Sequence, residues 1–279
     1  MLCHFVSDLH GIEERYTKLL AAVLDERPAV LLIGGDLLPH YSRARGAERR
    51  KYVREFLVAT FAGLAGSMGE AAPRVLLILG NDDSRAEEDA FLDASGRGIW
   101  TYLHGRSVEI GGIRFYGYSY VPPTPFLLKD WERYDVSQRV EPWCISPEDG
   151  LRTVKVPEAE ARDCTIEKDL EMLASGEDLS RAILLFHSPP HRTSLDAIRR
   201  EGGTGSHAHV GSVAILRFIE TRQPLVTLHG HVHESVSITG SWRDTIGRTH
   251  AFSGAHAGPG LALVRFDTDS PEAATREII

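Results

Sequence analysis

Apolar positions along the chain fall into two kinds of pattern. Continuous short runs occur at Leu2 to Val6, Ala29 to Ile33, Arg74 to Leu79, Ala182 to Phe186 and Pro224 to Leu228. They read as buried strands. Between them the apolar residues recur at helical spacing. Ile12, Tyr16, Leu19, Leu20, Val23 and Leu24 make one such face, closed by Pro28, and Tyr52, Val53, Phe56, Leu57 and Phe61 make another. Further helices are predicted from Ile166 to Ala174 and from Val213 to Thr221. Ser84 with Glu87 three residues on predicts a capping box. Gly111-Gly112 between Ser107–Ile110 and Ile113–Tyr120 predicts a hairpin, and two or three late strands end with Leu261 to Phe266. Strands alternating with helices imply βαβ units, an α/β fold and substantially parallel pairing. We expect one domain over residues 1–279, with no internal repeat. From Val121 to Asp163 the periodicity fades among prolines and aromatics. That stretch predicts an ordered excursion, which either walls one side of a site or packs on the core.

Composition narrows the class of protein. The chain has 279 residues, is 42% hydrophobic and 25% charged, and carries a formal net charge of −8. That is ordinary globular composition. Its acidity argues against long nucleic acid as the main partner. A small phosphorylated molecule stays possible, because a bound metal can supply positive charge locally. Cys3, Cys144 and Cys164 match no zinc ribbon or disulfide framework, and Cys3 suits core filling. No apolar run is long enough for a membrane span, and the first residues enter a strand directly. We expect a cytoplasmic protein with no membrane partner, monomeric or homo-oligomeric. The basic stretch from Arg43 to Arg54 reads as the solvated face of a helix or as a cationic rim for a phosphorylated substrate.

The chemistry sits where the strands end. Five apolar runs stop at Asp8 and His10, at Asp36, at Asn81, at His187, and at His231 and His233. Glycine precedes three of these stops, as Gly35, Gly80 and Gly230, letting the backbone turn tightly beside the polar group. Parallel strands direct their carboxyl ends to one rim, so these side chains are expected to converge. Imidazoles mixed with carboxylates suit Mn, Fe, Zn or Ni more than Ca or Mg. Two such ions about 3.5–4 Å apart can clamp a phosphoryl group and activate a water.

The ordered set Asp8-x-His10, Gly35-Asp36, Gly80-Asn81-Asp82, His187 and Gly230-His231-x-His233 resembles the calcineurin-like metallophosphoesterase family. The resemblance implies two packed mixed β-sheets flanked by helices, a four-layer α-β-β-α sandwich. It implies two divalent transition-metal ions, with Asp8, His10 and His233 on the first, Asn81, His187 and His231 on the second, and Asp36 bridging. It also implies a phosphoesterase working by attack of metal-bound hydroxide. The leading substrate class is a small or nucleotide-like phosphodiester.

One position departs from the family pattern. Asp82 stands where the family has a histidine thought to assist the leaving group. Asp82 is therefore structural and paired with a nearby His or Arg, or carries a proton with substrate bound, or leaves the acid role to another histidine. His191 and His209 are the candidates for that role, and Gly211 with Ser212 could present N–H groups to an anion at a helix N-terminus. The alternative reading is a catalytically weak or inactive scaffold of the same fold that binds a protein partner.

Overall fold

Buried strands need cover on both faces, and this chain provides it with a second sheet on one face and helices on the other. The computed structural model describes residues 1–44, 46–199 and 207–279; Arg45, the Gly202-Gly203-Thr204-Gly205 loop and Ser206 lie outside them. β1 (Leu2–Val6) leads into α1 (Glu13–Glu26). β2 (Val30–Gly34) leads into α2 (Ala47–Lys51), a π-helical stretch over Tyr52–Leu57 and α3 (Val58–Met68). β3 (Arg74–Ile78) precedes α4 (Glu88–Gly96) and the short β4 (Thr101–Tyr102). β5 (Arg106–Ile110) and β6 (Ile113–Tyr118) form the predicted hairpin, with Gly111 and Gly112 at φ +58° and +76°. Both central residues at positive φ are what a type I′ turn requires.

The excursion follows, then α5 (Glu158–Asp163), α6 (Ile166–Leu173) and β7 (Ala182–Phe186). The short antiparallel pair β8 (Ala197–Arg199) and β9 (His207–His209) precedes α7 (Val213–Arg222), β10 (Val226–His229) and α8 (Ser235–Thr239). Four strands close the chain where two or three were expected: β11 (Arg243–Ile246), β12 (Thr249–Ser253), β13 (Ala262–Asp267) and β14 (Ser270–Ile278). β14 is half exposed, and its mixed polarity hid it from the apolar pattern.

The strands form two six-stranded mixed sheets, ordered β14-β13-β1-β2-β3-β4 and β11-β12-β10-β7-β6-β5. Alternation along the strands then sorts the core into layers. Cys3, Phe5, Leu32, Leu76 and Ile78 of the first sheet pack with Phe115, Ile183, Leu185 and Leu228 of the second. Residues of opposite parity turn outward. Val6, Leu31, Ile33 and Leu77 join Leu19, Val23, Leu57 and Phe61 of the helices, and Leu184 and Phe186 join Leu170, Ile215 and Ile219. Each such side chain contributes about 1.5–3 kcal/mol by burial. The result is the α-β-β-α sandwich that the family resemblance implies.

Two local expectations are corrected. Ser84 and Glu87 do not form a reciprocal capping box: their side chains bond each other, and no side-chain cap bond reaches the following turn, which is a 3₁₀ turn. Nor is the basic stretch simply a solvated face. Arg49 is fully buried, donating to Ser84 Oγ at 3.0 Å and to the Asp82 carbonyl at 2.6 Å. The excursion is ordered around buried Trp131 and a buried Lys129–Glu132 pair at 2.5 Å. No described helix is long and apolar enough to cross a membrane.

Candidate metal centre

The five strand ends divide between the sheets. β1, β2 and β3 of the first deliver Asp8, His10, Asp36 and Asn81; β7 and β10 of the second deliver His187, His231 and His233. Four of these seven residues have left-handed backbone: Asp8 at φ +59°, His10 at +49°, Asp36 at +53° and His231 at +70°. Non-glycine residues occupy that region rarely, with Asp and His among those that tolerate it best. The cost, about 1–3 kcal/mol each, is sustained where surrounding structure over-determines the backbone. Here the backbone is fixed by ladder-like bonds between loops: Asp8 N–H to Gly35 O at 3.0 Å, His10 N–H to Asp36 O at 2.8 Å and Gly11 N–H to Leu37 O at 2.9 Å.

The preceding glycines answer to crowding. A Cβ on Gly35 would lie 2.7 Å from His187 Nδ1, and one on Gly80 would lie 2.6 Å from His187 Cε1. Gly230 faces Ser7 and Asp8 in the same way.

The side chains converge in two overlapping groups. Ligand atoms of Asp8, His10 and His233 lie within 4.8 Å of one another, and so do those of Asp8, Asp36 and His187. His233 Nε2 is 3.1 Å from Asp8 Oδ1 and 3.4 Å from His10 Nε2. Asp36 Oδ2 stands between the groups, 3.7 Å from His10 Nε2 and 3.5 Å from His187 Nε2. Asn81 Oδ1 is 3.0 Å from His187 Nε2, and the His231 ring centroid is 5.3 Å from that of His187.

Electrostatics follow from this packing. Burial alone would raise the Asp8 and Asp36 carboxyls. His233 beside Asp8 and His187 beside Asp36 outweigh it and hold both well below the usual carboxylate range. Burial alone would lower His187, but Asp36 and then Asp8 raise it to about 9. In His10, Asp82, Asp36 and Asp8 likewise outweigh burial and raise it to about 9. His231 goes the other way, lowered to about 3 by burial and by His187, so the ring is neutral and one nitrogen keeps its lone pair free. Ionised carboxylates and protons retained on two crowded imidazoles mark a donor set that attracts cations, and metal binding displaces such protons. The residues therefore fit a pair of divalent transition-metal ions.

The sequence profile of the calcineurin-like phosphoesterase family matches residues 1–235. The chain belongs to the calcineurin-like phosphoesterase family. It is a metal-dependent phosphoric ester hydrolase. Among solved structures the phosphoesterase is similar to TT1561 of Thermus thermophilus, with 16% identity, a TM-score of 0.61 and 99% of this chain against 98% of that one. It is also similar to a dimetal phosphatase from Danio rerio, with 16% identity, a TM-score of 0.54 and 95% of this chain against 91% of that one. At these identities the likeness is one of fold. No curated protein matches the chain.

Other expected site residues of the phosphoesterase fall differently. Asp82 Oδ2 is 3.5 Å from His10 Nδ1 and 3.8 Å from His40 Nε2, and Oδ1 accepts from Tyr41 N–H at 3.3 Å. Among the described residues, neither Asp82 Oδ2 nor His10 Nδ1 has a hydrogen-bond partner. His191 and His209 gather elsewhere: His209 Nδ1 is 2.7 Å and His191 Nδ1 3.6 Å from the buried Asp196 carboxylate. Their contacts among the described residues do not reach the seven strand-end side chains.

The expected anion site at Gly211 and Ser212 is already filled by the protein. Gly211 N–H donates to Asp196 at 3.0 Å and Ser212 N–H to Pro189 O at 2.9 Å. Asp135 takes the Ser212 hydroxyl and the N–H groups of Val213 and Ala214, so no amide there is open to a phosphate.

Several polar residues around the site gave no signal in the sequence. Asp83 is buried and accepts from Leu37, Leu38 and Gly80 N–H groups at 2.9–3.1 Å, tying the loop after β2 to that after β3. Arg15 donates to the Asp8 carbonyl at 2.5 Å and to Gly258 O at 2.8 Å. Their roles depend on partners far away in the chain. Only the density of acids after Gly80 hinted at one of them.

Proposed function

We propose that this phosphoesterase is a binuclear-metal phosphodiesterase acting on a small or nucleotide-like phosphoester. Asp8, His10 and His233 would hold one ion, Asn81, His187 and His231 the second, and Asp36 would lie between them. Two divalent ions supply charge for the phosphoryl oxygens and a nucleophilic water. Mn, Fe, Zn and Ni suit these donors, and the three free thiols fit a cytoplasmic setting.

The observation that carries the preference for diesters is the Asp82 carboxylate beside His10. A carboxylate at that place opposes a phosphomonoester dianion more than a diester monoanion. Asp82 also keeps the site in order, since its N–H donates to Asp36 Oδ1 at 2.8 Å. A second reading, a scaffold that binds a protein, draws on one feature: Phe126 and Leu127 of the excursion are 57% and 60% exposed.

The test is hydrolysis of bis(p-nitrophenyl) phosphate and p-nitrophenyl phosphate by metal-free protein resupplied with Mn, Fe, Ni, Zn or Mg. Diester turnover that needs metal and disappears in Asp36→Asn supports the proposal. Faster monoester than diester turnover would sink the diester assignment. Metal binding without turnover of either ester would favour the scaffold.

A further inference from the structure

Exposure rises in one direction across the strand-end cluster. Asp8, Asp36 and His187 are buried, His10 is 17% exposed and His233 36%. Substrate must enter from that open side. His40 stands there, 56% exposed, its ring centroid 6.3 Å from that of His10.

The loop that carries His40 is pinned. Leu37 and Leu38 N–H groups donate to Asp83, Tyr41 N–H donates to Asp82 Oδ1, and the Arg49 guanidinium lies 5.4 Å from the Tyr41 ring centroid. The ring is oriented as well. Ser42 N–H donates to His40 Nδ1 at 3.3 Å, and Ser42 Oγ lies 2.9 Å from the same atom. With Nδ1 accepting, the neutral ring carries its hydrogen on Nε2. That Nε2–H is 3.8 Å from Asp82 Oδ2, too long for a hydrogen bond, and that oxygen accepts none. Among the described residues, the His40 Nε2–H is therefore a donor at the entrance to the cluster with no protein acceptor in hydrogen-bond reach.

We propose that His40 touches the substrate, donating its Nε2–H to the leaving-group oxygen, with Ser42 as the positioning residue behind it at Nδ1. This rests on the phosphoesterase reading above. As the bond from phosphorus to that oxygen breaks, its electron pair passes to the oxygen, the His40 Nε2–H stabilises the developing charge by a hydrogen bond, and solvent water protonates the released group. Water supplies the new phosphorus–oxygen bond, and the ring keeps its hydrogen throughout.

The test uses metal-loaded protein and two pairs of diesters, with p-nitrophenol or phenol as leaving group. His40→Ala should lose about 10- to 100-fold in kcat on phenyl esters, as expected for one hydrogen bond to a charged oxygen, and less than about 3-fold on p-nitrophenyl esters. His40→Gln, which keeps an N–H donor, should recover part of the loss, and metal content should be unchanged in both. Equal losses on the two leaving groups, no loss on either, or metal content falling with turnover would each overturn the proposal.

Inorganic phosphate supplies a readout that needs no turnover. Titrated into zinc-loaded protein it should shift the His40 ring proton resonances, because one of its oxygens takes the leaving-group place. Phosphate that binds without moving those resonances refutes the role of His40 even if no ester is hydrolysed. Absence of turnover with the resonances moving counts against the hydrolase reading instead.

Discussion

At the scale of single residues, the strand-end motif is a solution to crowding. Gly80 leaves room for His187, and an added Cβ would meet His187 Cε1 at 2.6 Å. Gly80→Ala should therefore cost about 1–3 kcal/mol and lower metal uptake, read by denaturant unfolding and metal analysis. Asp83 makes a different demand. Asp83→Ala strands three buried N–H groups, each worth about 1–3 kcal/mol, whereas Asp83→Asn retains one acceptor oxygen and should cost less. Equal unfolding midpoints for the two variants would count against this account. The seven strand-end residues were legible in the sequence because Asp, Asn or His recurs at the ends of five apolar runs, three times just after a glycine. Asp83, Arg49 and Arg15 were not, because a buried polar residue is explained by its partner. Those partners lie 46, 35 and 243 positions away in the chain, at Leu37, Ser84 and Gly258. His40 stayed hidden for the same reason, since nothing local shows that its ring meets Asp82.

At the scale of elements, the five buried strands that end at the site and the main helices were read from periodicity, and the half-exposed β14 and the excursion were not. The excursion's order comes from isolated polar anchors. Asp135 caps α7, and Asp130 accepts from Arg85 N–H and from Thr153. Asp135→Ala should cost about 1–2 kcal/mol, as loss of an N-terminal cap does, and should expose the excursion to limited proteolysis before the sheets unfold. A second lever is pH. His104 is enclosed by Tyr118, Tyr120 and Trp131, with centroid distances of 5.8, 5.1 and 4.9 Å. Burial first, then Arg133, Arg85 and Arg106, lower it to about 3. The folded ring is neutral while an unfolded one protonates near pH 6.5, so stability is full above that pH and falls as pH drops toward 3. The urea midpoint should fall from pH 7.5 to pH 5, and less steeply in His104→Gln.

At the scale of the whole molecule, two sheets share one end of the sandwich, and the proposed ligands are drawn four from one and three from the other. Ions bound there should stabilise the fold by mass action, by about 2.7 kcal/mol at a free concentration a hundred times the dissociation constant. The melting temperature should rise on adding Mn to metal-free protein and stay flat in Asp36→Asn. The α/β class was legible from strands alternating with helices, and the two packed sheets came from the family resemblance, not from the apolar pattern. Which strand joins which sheet was not legible, because the run that ends at His187 looks no different from the run that ends at Asn81.

The division of the site between sheets also sets an order of events in the life of the chain. Asp8 and Asp36 follow the paired strands β1 and β2, whereas His187 and His231 follow β7 and β10 of the other sheet, more than 100 positions later in the chain. A nascent chain carrying only residues through β3 holds an incomplete nest of acids and one imidazole, with little to tell one divalent ion from another. The complete seven-residue nest exists only after the two halves dock. With the ligand set proposed above, choice among divalent ions would fall to the finished fold, where both sheets contribute donors.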